Sequence, residues 1–139
     1  MKAQDYLQQL EKLDVMIRNK LVEQRQWKDI ALGVTACSDG ERVQSSGSQQ
    51  KMADALGRCV DIEREIDGLI DKLVDLKKEV IRTIEQLPTV QYDVLHKRYV
   101  QRLSFQDIAD AHDKTYSWAT SVHGRALQGL QRILDARVV

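Results

Sequence analysis

Apolar residues recur along this chain in steps of three and four, the spacing that places side chains on one face of an α-helix. Leu7, Leu10, Leu13, Ile17 and Leu21 mark such a face and predict a first helix over residues 3–32. Gly33 is a natural stop, because glycine accepts the left-handed conformation common just past a helix terminus. A second helix is predicted from about Lys51 to Leu87. There Leu56, Cys59, Ile62, Ile66, Leu69, Leu73, Leu76, Val80, Ile84 and Leu87 form a coiled-coil seam sustained over several heptads. At about 1.5 Å per residue this helix would be about 55 Å long, and two helices of such length suit an antiparallel hairpin. Ile70, Val74 and Ile81 widen the apolar stripe beyond the seam, so a lone hairpin would leave part of it exposed. Two hairpins pairing into a four-helix bundle would cover it. The expectation is a homodimer held by the hairpin, with the C-terminal residues as an alternative cover.

Residues 33–50, GVTACSDGERVQSSGSQQ, show no periodicity and are rich in Gly, Ser and Gln, so they read as a loop. It is longer than the roughly 2–8 residues usual between bundle helices. Backbone amides there could form an anion nest, but the composition is that of a flexible connector. Pro88 then interrupts the pattern. A proline pushes the preceding residue out of the helical region, so Leu87–Pro88 divides a hairpin, residues 1–87, from a C-terminal module, residues 88–139.

In that module the apolar positions predict three short helices, at about 89–100, 105–112 and 116–135. Ser104 is a good N-cap for the second, with Asp107 three residues on as in a capping box. Thr115 is a good N-cap for the third. Asp113 lies in the turn between them and tolerates left-handed geometry better than most residues. Two helices joined by so short a turn match a helix-turn-helix.

Composition agrees with an all-α chain: 42% hydrophobic but 5% aromatic residues, 30% charged, and a single proline. The net charge is zero but uneven. Residues 51–87 hold seven Lys/Arg against nine Asp/Glu, and residues 88–139 hold seven against five. An acidic middle and a mildly basic end suit a protein-facing part and a part that approaches phosphate. Cys37 and Cys59 share no metal-ligand spacing with each other or with His96, His112 and His123, so reduced thiols and no metal or other cofactor are expected. The start, MKAQDYLQQLEKLD, is charged throughout and lacks the apolar core of a signal peptide. No apolar run approaches the roughly 20 residues that span a bilayer. These features predict a cytoplasmic protein with no membrane partner. The absence of G-x-S-x-G, H-E-x-x-H, P-loop and C-x-x-C patterns argues against an enzyme.

The stretch LSFQDIADAHDKTYSWATSVHGRALQGL resembles region 4 of the sigma-70 family. Leu103, Ser104, Phe105, Asp107, Ile108, Ala109, Thr115, Arg125, Ala126, Leu127 and Leu130 match the family pattern without a gap, and Pro88 and Tyr99 fall where the family places a proline and an aromatic residue. His112 stands where the family has an apolar residue, and Asp113 where it has Gly. The resemblance implies a DNA-binding module over about residues 88–137. It places Tyr116, Ser117, Trp118, Thr120 and Ser121 toward the major groove, where hydroxyls can bond base edges but lack the bidentate fork of arginine. Tyr116 and Trp118 can equally be aromatics that pack on a neighbouring helix or subunit. Arg98, Arg102, Lys114, Arg125 and Arg132 would hold phosphates and fix register.

Over nearly its whole length the chain resembles small phage-encoded proteins near the RinA-like activators of phage late transcription, on the strength of a helical hairpin, the loop Arg42 to Ser48 and a terminal sigma-like module. The function this implies is transcription regulation by binding double-stranded DNA. The alternative is a protein-interaction module that engages RNA polymerase or another regulator.

Overall fold

The structure, a computed structural model, describes residues 1–33 and 46–137, and the side chains of all of these but 46–48. The described residues are all-α. Five α-helices run in the order α1 (Ala3–Gly33), α2 (Ser46–Ile84), α3 (Thr89–Leu95), α4 (Phe105–Ala111) and α5 (Tyr116–Arg137), with a π-helical turn, His96–Val100, between α3 and α4.

α1 keeps its expected span, with Gly33 as its last helical residue rather than the first beyond it. α2 begins at Ser46, ahead of Lys51, which corrects the upper bound of the expected 33–50 loop. Ser is favourable at a helix start and Gln is a good helix former, so a loop-like composition there is compatible with a first helical turn. Gln50 Nε2 donates to Asp54 Oδ1 at 3.0 Å, one turn on. Residues 34–45 of that loop, Cys37 among them, lie outside the described residues.

The chain divides into two compact units: Leu13–Lys72, and Met1–Lys12 together with Leu73–Val139. In the first unit α1 and α2 bury Ile17, Ala31, Ala55, Cys59, Ile62 and Ile66. Lys20 Nζ lies 2.9 Å from Glu65 Oε2, and Gln24 Nε2 donates to the Cys59 carbonyl at 3.2 Å. Residue numbers rise on one helix as they fall on the other, so the pair is antiparallel. Two expected seam residues lie outside it, Leu21 and Leu56, each 50% exposed. Leu13, Ile17 and Leu21 are two four-residue steps in succession, which carries Leu21 about 80° away from Leu13 around a helix with 3.6 residues per turn. Leu56 fails likewise, by two three-residue steps in succession, and Ala55 takes its place in the core.

In the second unit the first turns of α1 and the end of α2 share one core with α3 and α5. Leu7, Leu10, Val80, Ile84, Leu95 and Leu130 are buried together. α2 ends at Ile84, where the last turn tightens into i→i+3 bonds, Gln86 N–H to Thr83 O at 3.3 Å and Leu87 N–H to Ile84 O at 3.0 Å. Packing continues across Pro88, because apolar side chains on both sides of it bury one another. α5 approaches this corner closely at Gly129, where a Cβ would come 2.9 Å from Leu87 Cδ2. A smaller cluster of Val94, Ile108, Ala109, Ala119 and Val122 locks α3, α4 and α5 together.

Candidate nucleic-acid interface

Local bonding fixes how α4 leads into α5. Ser104 Oγ accepts from the Asp107 N–H at 3.1 Å, and Thr115 Oγ1 accepts from the Trp118 N–H at 3.1 Å, so both expected N-caps are in place. α4 ends with the Asp113 N–H on the Asp110 carbonyl (3.2 Å) and the Lys114 N–H on the Ala109 carbonyl (2.9 Å). That pair of bonds is a Schellman motif, which requires a left-handed residue. Asp113 supplies it, at φ 54°. His112, the other departure from the sigma-70 pattern, places Nε2 2.6 Å from Asp93 Oδ2 and lies with its ring centroid 5.0 Å from that of Trp118. Burial pushes the Asp93 carboxyl up, but the hydrogen bonds from Lys97 and His112 together outweigh it and hold the group below its usual value. The ring at position 112 is thus anchored where an apolar residue would otherwise pack.

α5 has two contrasting sides. Ala119, Val122, Ala126 and Leu130 are buried, while Ser117, Ser121, Gly124, Arg125 and Gln128 are exposed on the opposite side. Lys114 is exposed ahead of this row, and Tyr116, 54% exposed, stands in a T-shaped contact with Phe105. Lys114, Ser117, Ser121 and Arg125 are thus the candidates exposed on this side, and Tyr116 is exposed beside it, next to Phe105.

Four other candidates are placed differently. Trp118 is half-buried, packed on His112 and the small cluster, which makes it a support of the turn. Thr120 is half-buried, and its hydroxyl donates to the Ser117 carbonyl at 3.0 Å, which occupies its proton within the helix. Arg98 donates from Nη1 to the Leu103 carbonyl at 3.1 Å and stacks 4.4 Å over Phe105. Arg102 adopts a left-handed φ of 62° and donates from Nη2 to the Leu10 carbonyl at 3.3 Å. Both arginines line a cleft of about 220 Å³ with Glu11, Tyr99 and His123, apart from the exposed row. In that cleft burial raises the Tyr99 hydroxyl pKa, and burial followed by the Arg98 charge lowers that of His123.

Sequence reasoning passed over Gln91 and Gln128. With Arg125 and Arg132 they line one groove of about 500 Å³ along α5. The i, i+3, i+7 spacing of Arg125, Gln128 and Arg132 signals a shared face. Nothing local to Gln91 indicates that α3 joins it. Arg132 and Arg125 thus stand on one groove, with amide donors between them.

Among the described residues no group of three or more His, Cys, Asp or Glu is placed to hold a metal ion, and no helix is long and apolar enough to cross a membrane. No protein-family model matches this chain, and no curated protein or solved structure shows significant similarity to it.

Proposed function

We propose that this chain is a cytoplasmic transcription regulator of the phage or prophage kind, a homodimer that binds double-stranded DNA through a helix-turn-helix of the sigma-70 region 4 type, with α4 and α5 as its two helices. The observation that carries this reading is the exposed row Ser117, Ser121, Gly124 and Arg125, headed by Lys114, on a helix whose other side is locked by Ala119 and Val122. Short side chains let a helix approach base edges closely, and the two serine hydroxyls can donate to or accept from them. Arg125 and Arg132, with Gln91 and Gln128 beside them, suit a phosphate strand at the rim of the groove.

A second reading rests on Tyr116, a large aromatic residue that is more than half exposed, and on the engagement of Arg98 and Arg102 away from the row. These favour a module that docks on RNA polymerase or another regulator without reading DNA. Ser121→Glu separates the two. A carboxylate in the middle of the row should eliminate retardation of a duplex in a gel while the circular dichroism spectrum stays helical. Unchanged retardation would sink the DNA reading. Capture of purified RNA polymerase that survives Ser121→Glu but disappears with Tyr116→Ala would establish the docking reading instead.

A further inference from the structure

The start of α1, the π-helical turn and α5 enclose the cleft of about 220 Å³. α1 contributes Gln4, Gln8 and Glu11, whose steps of four and three put them on one face of the helix. The opposite wall carries Arg98, Tyr99 and His123. Two features mark that wall. π-helical turns are rare and recur at functional sites, and Arg102, just beyond this one, holds φ 62°, a conformation that costs an L-residue energy. The Arg102 guanidinium is committed to α1 through the Leu10 carbonyl, at 3.3 Å, and so joins the two walls.

The charges left over define what fits. Among the described residues Glu11 forms neither an ion pair nor a hydrogen bond, and Arg98 forms no ion pair. Arg98 gives one N–H to the Leu103 carbonyl at 3.1 Å, and a guanidinium has five, so most of its donors remain. Burial raises the Tyr99 pKa, the Arg98 charge lowers it and the Glu11 charge raises it, so both charges lie close to that hydroxyl. His123 adds no third charge near pH 7, because burial and then Arg98 hold its pKa below the ordinary value. The cleft thus presents one open carboxylate and one open guanidinium, and a ligand that answers both is a zwitterion. Tyr99 and His123 stack on each other with centroids 5.7 Å apart, and Phe105 lies under Arg98, so the rings are not arranged as a slot for a nucleobase. The volume also falls below the roughly 300–1,000 Å³ of sites for drug-sized ligands. We infer that this cleft binds a free α-amino acid, with its ammonium on Glu11 and its carboxylate on Arg98. The cleft stands apart from the exposed row of α5, so its occupancy does not depend on what that row binds.

Thermal unfolding of the full chain, followed by circular dichroism with each standard L-amino acid at millimolar concentration, tests the site. A ligand that ties α1 to α5 stabilises the folded state, so at least one amino acid should raise the midpoint, and calorimetry should show one bound per chain. The matching acid without the amine, and the matching amine without the carboxylate, should each bind at least about tenfold more weakly. Glu11→Gln, at an exposed position, should fold as the wild type does. It should lose the same factor for the amino acid yet leave affinity for the deaminated acid unchanged, a pattern that a purely structural role for Glu11 does not produce. Failure of every amino acid to bind, equal binding of the deaminated acid, or indifference to Glu11→Gln would each overturn the inference. None of these outcomes bears on duplex binding, and a loss of duplex binding would leave this site untouched.

Discussion

Arg137 Nη2 lies 2.6 Å from Oγ1 of Thr83, the one polar side chain among the described residues that is fully buried in the core. Thr83 also donates to the Glu79 carbonyl at 2.9 Å, and the Tyr6 hydroxyl is 3.3 Å from the same oxygen. With its own proton given to Glu79, the Thr83 oxygen accepts from both Arg137 and Tyr6, so one hydroxyl ties the start of α1 and the end of α5 to α2.

Thr83→Val keeps the volume and removes the oxygen, leaving the buried Tyr6 hydroxyl without its partner. Urea denaturation should show a loss of about 1–3 kcal/mol, the usual cost of stranding a buried polar group. Adding Tyr6→Phe should restore part of that loss, since the stranded group is then gone. Equal stability of Thr83→Val and wild type would mean the network contributes nothing in solution.

The Tyr99 hydroxyl lies 2.8 Å from Nε2 of His123, in the cleft where burial keeps that imidazole below its ordinary pKa. A histidine depressed in the folded state binds its proton less readily than the unfolded chain does. Its contribution is therefore complete above the unfolded value of about 6.5 and is lost as pH falls from there toward the folded pKa. An NMR titration should place the His123 midpoint below that of a model peptide. His123→Gln should flatten the fall in stability below that pH. A midpoint at or above the peptide value would refute this environment.

The helical character of the described residues, the cap residues Ser104 and Thr115, and the turn at Asp113 are all legible in the sequence. Each depends on spacing or on a side chain bonding its own neighbours. Long-range partners are not. The pattern around Arg98 and Arg102 is simply that of two basic residues. Their engagement with Leu103 and Leu10 depends on a π-helical turn and a left-handed residue that no local preference announces. Leu21 and Leu56 show the limit of heptad reading, because repeated equal steps walk off a seam one residue at a time. For Trp118 the sequence leaves groove contact and packing on a neighbouring helix equally open, and the ring packs on His112 and the small cluster.

Asp113 holds φ 54°, a conformation that costs an L-residue energy and glycine almost none. Asp113→Gly should raise the thermal midpoint, with a gain of up to about 1 kcal/mol. Asp113→Val should lower it by more than that, because β-branching is poorly tolerated there. A stabilised valine variant would contradict the turn geometry.

Gly124 lies in the middle of the exposed row, and a Cβ there would meet nothing within 4 Å. Gly124→Ala should therefore stabilise α5 by about 0.5–1 kcal/mol through helix propensity alone. Gly124→Glu should fold as well as wild type yet lose duplex binding, because it adds bulk and negative charge to the row. Loss of folding in both variants would show that the position is packed against something else.

The salt dependence of duplex binding by the full chain tests the central claim most directly. Fluorescence anisotropy of a labelled mixed-sequence duplex should give a log–log salt slope of about −3 per module if Lys114, Arg125 and Arg132 each displace a counterion. Arg125→Ala should make that slope shallower by about one unit and weaken all sequences alike. A slope near zero, or one that Arg125→Ala leaves unchanged, would contradict α5 as a DNA-binding helix.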